Sequence, residues 1–476
     1  MMRTLLFAMT ATLAALAAQS PSYEDEKAAR EMLDRAETYA RRAQYAQARR
    51  TYPKIVEQFP GTAAAKVAER RVQPSAFVGW SDVVRRGESK NRVDFVILGE
   101  GYELDHQKAF DDLAGNVPPI LLRVEPFHEY ETYINFQRAN LVSADAGVDG
   151  FGREYDTALG ARTIATIQGH VAVDRKRVHA MLAELPEHDA QAIVYVKQGV
   201  LGTGGGGVAT IGGTDARITV HEIGHSFAGL QDEYATADYE QSVARSVRAE
   251  FRGINASGTD DPKRVPWAHW IEARHPSIGV YEGASGQVRD AYRPVASGCL
   301  MNDGEFFCAV CREAIVLRIY SLVDPIESCE PPAQGLARKD PLVVADEAPL
   351  ELEVKVMQPA THELEVRWWI LPESRFPATG AVQRDGERID AHAYYHDRRE
   401  RGPLTTIADA PHTTQPSGAN GVYRLRLSST KLDRGLYRVV CRAKDTAKPR
   451  GEKWPWVLKD ERGLLESERA WWVLVK

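Results

Sequence analysis

A chain of 476 residues is longer than one ordinary core organises, so about three domains of roughly 100–200 residues each are expected. With 43% hydrophobic and 26% charged residues, it has the composition of a soluble globular protein rather than of a disordered or membrane-embedded one. A net charge of −6 over so large a surface disfavours nucleic acid and anionic membranes as partners.

Residues 1–18 carry Arg3, an apolar run from Leu5 to Leu16, and then the small residues Ala17 and Ala18 before a polar acidic stretch. This is the pattern of a secretory signal peptide, with cleavage expected near Ala17 or Ala18 and export to the periplasm or the extracellular space. The run falls short of the roughly 20 residues that cross a bilayer, and no later segment is long and apolar enough to do so. No cysteine follows it to accept a lipid.

Residues 22–75 are rich in Ala, Glu, Arg and Lys at helical spacing and resemble a tetratricopeptide-type helical pair with part of a third helix. Pro53 is expected near a helix start or kink. One repeat cannot close a solenoid core, since about three are needed. The segment therefore leans on the rest of the chain or offers its surface to a protein partner.

From 76 to about 330 the pattern alternates between strands and helices, an α/β domain. "VDFVILGEGY" reads as a buried strand, a helix follows from about Asp105 to Leu122, and "YINFQRANLVS" and "AQAIVYVKQ" supply further strands. Asp145 and Asp149 read as turn residues rather than calcium ligands, because two carboxylates fall short of a calcium shell. The glycines at 204–207 leave little side-chain bulk, so an extended peptide could pair with that edge. Residues 340–476 change to short alternating runs between turn-rich loops, a β-sandwich of immunoglobulin-like size. Six of the nine tryptophans fall in this region and are expected to pack in the core or dock on the preceding domain, rather than stack on sugars.

The five cysteines are too few for a disulfide scaffold. Cys308 and Cys311 form a C-x-x-C that fits a redox pair, half of a structural zinc site, or a local disulfide. Export favours a bridge, with Cys299 and Cys329 as competing partners.

The chemistry concentrates in "HEIGHSFAGLQDEY", residues 221–234. Four residues apart on a helix, His221 and His225 share one face and can grip one metal ion, with Glu222 beside its open side. Gly229 lets the chain stop and turn back. Asp232 then offers a carboxylate as third ligand, whereas the Gln231 amide binds zinc poorly. Glu233 is the nearest competitor, and Glu240 or Glu250 would serve if a second helix supplied the ligand.

This stretch resembles the signature of peptidase family M64, the IgA peptidase M64-like enzymes. "VDFVILGEGY", "EPFHEYETYINF", "SADAGVDG", "GVYEGA", "CLMND" and "FCAVCREAI" extend the likeness over roughly residues 90–325. The resemblance implies a metzincin-like zinc-peptidase domain, one catalytic Zn2+ on His221, His225 and Asp232, and Met301 in a turn beneath the metal. Glu222 is then the general base for a metal-activated water attacking a polypeptide substrate. Tyr234, Tyr292 or Arg293 could steady the oxyanion. The other readings are an extracytoplasmic binding protein with a structural metal, and a zinc hydrolase of non-protein amides.

Overall fold

The structure, a computed structural model, describes residues 21–164, 169–198, 201–236, 253–334, 340–345, 349–375, 381–382, 404–405, 407, 410–415 and 419–476. The signal-peptide stretch, Glu240 and Glu250 lie outside the described residues. Among the described residues, no helix is long and apolar enough to cross a membrane.

Three helices come first: α1 (Tyr23–Arg41), α2 (Tyr45–Gln58) and α3 (Ala63–Arg71). Ser22 and Asp25 cap α1 reciprocally, which satisfies two backbone donors that the helix leaves free. Small residues let the helices approach closely: Ala29, Ala36, Ala48, Ala65 and Ala68 are all at 0% exposure, packed around Tyr52 and Ile55. Pro53 lies inside α2 rather than at its start. Tyr52 and Ile55 of the same helix are fully buried in the core. The three helices rest on the first strand of the sheet, β1 (Ala76–Val84). At Gly79 a β-carbon would lie only 2.4 Å from that of Ala40, so glycine is what permits the close seat.

The central sheet has six strands. After β1 come β2 (Val93–Glu100), β3 (Ile134–Val142), β4 (Gln191–Val196), β5 (Thr203–Gly205) and β6 (Val208–Gly212), in the spatial order β1-β3-β2-β4-β6-β5. The four inner strands are parallel, and both edge strands, β1 and β5, run antiparallel to their neighbours. Every residue of β2 is buried, as a strand covered on both faces requires. Alternate residues divide between two cores. Phe95, Ile97, Ile193 and Ile211 face α4 (Gln107–Leu121) and α6 (Ala216–Ala228), while Val96, Leu98, Val194 and Val208 face α5 (Arg175–Leu182). The strands and the helix expected from the sequence in this region all form, within two residues at their ends.

A short α7 (Ala268–Glu272), a hairpin of β7 (Tyr281–Ala284) and β8 (Gln287–Arg293), and the buried α8 (Ala309–Leu322) complete this part. Asp145 and Asp149 accept backbone N–H groups of Asp156 and Tyr155, the turn role expected of them.

Beyond residue 325 the described chain forms a three-stranded and a five-stranded sheet, and one apolar cluster draws residues from both. Trp368 and Trp471 are fully buried there, stacked at 6.0 Å, and Trp456 is buried in the α/β core instead. A buried polar knot joins the two regions. Asp445 accepts from Tyr130 and Tyr320 hydroxyls, and His362 bridges Asp445 and Glu129 at 2.6 and 2.8 Å.

Candidate active site

Helix α6 follows β6 and starts at Asp215, whose carboxylate accepts the N–H groups of Arg217 and Ile218. It ends at Gly229, which takes the left-handed conformation with φ +67°. That turn folds the next residues back over the helix, so Asp232 meets both histidines. Its Oδ1 lies 3.1 Å from His221 Nε2 and 3.2 Å from His225 Nε2, and the two Nε2 atoms are 3.1 Å apart. The other ring nitrogens are held from behind: His221 Nδ1 by the Leu300 carbonyl at 3.0 Å and His225 Nδ1 by the Leu230 carbonyl at 2.6 Å. Each Nδ1 therefore carries the proton in the neutral ring, and each Nε2 lone pair points at the shared centre.

The electrostatics favour a cation at that centre. Burial pushes the His225 imidazole down, but the Asp232 carboxylate outweighs it and raises the pKa to about 9. Burial acts on Asp232 in the opposite direction, yet the two imidazoles hold its carboxyl far below the usual range. Ligand atoms around one zinc are separated by about 3.3 Å when zinc–nitrogen and zinc–oxygen bonds are near 2.0 Å, so the donor set fits that ion. The two imidazoles argue against magnesium or calcium, which prefer oxygen.

Glu222 lies on the same helix, 7% exposed, beneath the edge strand β5. A β-carbon on Gly202 would sit 3.0 Å from Glu222 Oε1, and one on Gly204 would sit 3.0 Å from Oε2 and 2.7 Å from His225 Cβ. Glycines thus let the strand lie directly over the carboxylate. Burial raises the Glu222 pKa, with His225 and His221 only partly offsetting it.

Met301 is fully buried under the helix. A β-carbon on Gly224, between the two histidines, would meet its sulfur at 2.8 Å. The turn that carries it is closed by Asn302 and Gly304 amides donating to the Cys299 carbonyl, and Arg217 reaches back to the Gly304 and Asn302 carbonyls.

Of the expected oxyanion donors, Tyr234 stacks near His221 with ring centroids 6.3 Å apart. Arg293 is committed elsewhere, since its guanidinium donates to the carbonyls of Glu282, Gly283, Val295 and Ala296. Tyr292 lies in β8, its backbone paired with Ser257.

Residues 82–277 match the family model described as IgA Peptidase M64. This part of the chain is similar to the peptidase M64 family. The match supports the resemblance drawn from the sequence motifs, and the family it points to is one of peptidases, hydrolases that act on polypeptide. The match ends before "CLMND" and "FCAVCREAI", which the structure nevertheless packs against the M64 helix α6. Comparison with curated proteins gives no match.

Two features escaped the sequence reading. Gly202 and Gly204 act as spacers over Glu222, a role that glycine density alone does not reveal. The cysteines are all unbridged, contrary to the disulfide expected for Cys308 and Cys311. Cys299, Cys308 and Cys311 instead gather around Glu233, the residue next to Asp232.

Proposed function

We propose that the chain is an exported zinc endopeptidase in which His221, His225 and Asp232 hold one catalytic ion and Glu222 is the general base. The observation that carries this reading is the convergence of three donor atoms within 3.2 Å of one another, beside a buried carboxylate. A bound zinc supplies Lewis acidity, which polarises the scissile carbonyl and acidifies a water. Glu222 takes the proton of the attacking water on a carboxylate oxygen and returns it to the leaving amine.

The substrate is an extended polypeptide that pairs with the outer edge of β5, which ends the sheet among the described residues. The bare glycines of this strand let the backbone of the substrate come down beside Glu222. Tyr234 serves as the oxyanion donor, given its place beside His221. Met301 packs as the floor beneath the ligand helix.

On the same reading the domain is metzincin-like and spans 76–330, and the signal peptide of residues 1–18 directs the chain to the periplasm or the extracellular space. Residues 22–75 form a tetratricopeptide-like appendage whose main office is packing on β1, and residues 340–476 form a β-sandwich.

The test is digestion of an unfolded protein by the purified chain, alone, with a chelator, and with zinc restored. Cleavage that is lost to the chelator and recovered with zinc supports the proposal. A zinc-loaded protein that cleaves neither polypeptide nor small amides points to a binding protein with a structural metal. Cleavage of non-protein amides alone points to the other hydrolase class.

A further inference from the structure

Glu233, Cys299, Cys308 and Cys311 come from three separate stretches of chain, yet one oxygen and three sulfurs lie within 4.8 Å of one another. Cys299 Sγ and Cys311 Sγ are 3.9 Å apart, and Glu233 Oε1 stands 3.0 Å from Cys311 Sγ and 3.6 Å from Cys308 Sγ. Sulfurs sharing one zinc are separated by about 3.8 Å when each zinc–sulfur bond is 2.3 Å. A disulfide needs about 2.0 Å. Bridging any two of these sulfurs would also strand the third thiol and a fully buried carboxylate against them.

We propose that Glu233, Cys299, Cys308 and Cys311 form a second, structural zinc site. Four protein ligands complete a tetrahedron and leave no position for water, as structural sites require. Glu233, Cys299 and Cys311 are buried, so solvent is kept out as well. Glu233 Oε2 is buried with no hydrogen-bond partner, which is costly for a carboxylate unless a cation lies beside it.

The surroundings suit thiolates. Cys308 is the N-cap of α8 and Cys311 lies in its first turn, where the helix dipole favours negative charge. The Cys308 amide donates to Cys299 Sγ at 3.4 Å, and the Asn255 side-chain amide donates to Glu233 Oε1 at 3.0 Å. On metal binding each thiol and the carboxyl give up a proton to solvent, and the zinc replaces them.

The site has a purpose beyond stability. Glu233 follows Asp232, and Cys299 precedes Leu300, whose carbonyl holds the His221 ring. A metal joining Glu233 to Cys299 therefore fixes the catalytic carboxylate and the back of a catalytic imidazole in one clamp. These cysteines are positioning residues; none touches substrate.

The test counts metals and thiols in the full chain purified without chelator. Zinc should be close to two ions per chain, falling to one in Cys308→Ser/Cys311→Ser and to one in His221→Ala/His225→Ala. All five thiols should titrate on denaturation without reductant. Because the cysteine variant could fail to fold, cobalt is substituted into the wild type, where thiolate ligation gives an intense near-ultraviolet charge-transfer band. That band should persist in His221→Ala/His225→Ala. A wild type with no such band, a zinc count of one that the cysteine substitutions leave unchanged, or a disulfide mapped between any two of Cys299, Cys308 and Cys311 would overturn the proposal. The readout is independent of the reaction: a chain that shows the band but cleaves nothing refutes the peptidase reading and supports this site.

Discussion

Asp232 and Glu233 are neighbours in the chain, but their carboxylates serve different clusters. Asp232 Oδ1 lies 3.1 Å from His221 Nε2, whereas Glu233 Oε1 lies 3.0 Å from Cys311 Sγ. The Glu233 amide donates to the Met301 carbonyl at 2.7 Å, so the pair is pinned to the turn beneath the helix. The two acids therefore separate by substitution. Asp232→Ala is expected to lose the catalytic zinc and with it cleavage, because two imidazoles alone fall short of the three protein ligands that hold a catalytic zinc. Glu233→Gln is expected to keep cleavage measurable while disturbing the cysteine cluster. Retention of catalytic zinc by Asp232→Ala would move the third ligand elsewhere.

Gly224 and Met301 should be coupled in stability. In an exposed helix, Gly→Ala would stabilise by about 1 kcal/mol. Here the new methyl meets the Met301 sulfur at 2.8 Å and Phe307 at 3.2 Å, so Gly224→Ala is expected to destabilise by about 1–3 kcal/mol. Met301→Ala opens a cavity on its own, yet it should relieve part of the Gly224→Ala penalty. Urea melts of the two single variants and the double variant give the coupling energy, and strict additivity would mean that the two residues do not press on each other.

The edge strand should be intolerant of side chains at one position in particular. A β-carbon on Gly204 would lie 2.3 Å from the Glu222 carbonyl oxygen, a backbone atom that cannot swing aside. Gly204→Val is expected to push β5 off the helix and lower kcat/KM at least about 10-fold, since small misplacements of a catalytic framework are costly. Gly115→Ala, in α4 with open space around its β-carbon and an ordinary helical backbone, serves as a control for adding a side chain at a glycine. Equal kinetic losses in both would argue against a specific role for the strand.

Much of this was readable from one sequence. The unbroken apolar runs of β2 and β4 declare strands buried on both faces, and His221, His225, Gly229 and Asp232 encode a local structure: a helix, its stop and the residue after the turn. Interactions of that kind depend on spacing alone. What spacing does not encode is which distant segments meet. Glu233 lies 66 residues from Cys299, so nothing in the C-x-x-C pair announces a fourth partner. Arg293 illustrates the same limit, because its carbonyl partners exist only once the β7–β8 hairpin has closed.

The polar knot at His362 should make stability depend on pH. Burial alone lowers the imidazole pKa, but Asp445 and Glu129 outweigh it and raise the value to about 9. Burial raises the carboxyl pKa values of Asp445 and Glu129, and contacts with His362 bring both below their ordinary range. A raised imidazole contributes stability that is complete below its unfolded pKa of about 6.5 and lost as pH rises through 9. The depressed carboxyls contribute above about pH 4.5 and lose their share as pH falls. The knot is therefore strongest between about pH 4.5 and 6.5, and up to about 3 kcal/mol should disappear by pH 10. Comparing urea midpoints of wild type and His362→Gln across this range isolates the effect; parallel curves for the two would remove His362 as its source.

The most direct measurement on the central claim compares the wild type with Glu222→Gln in the same preparation, measuring bound zinc and the rate of cleavage of an unfolded protein. The buried carboxylate ligates nothing in this account, so Glu222→Gln should bind as much zinc as the wild type. Without its base, kcat/KM should fall by about 10²–10⁴. Equal zinc with equal cleavage would contradict the assignment of Glu222 as the general base.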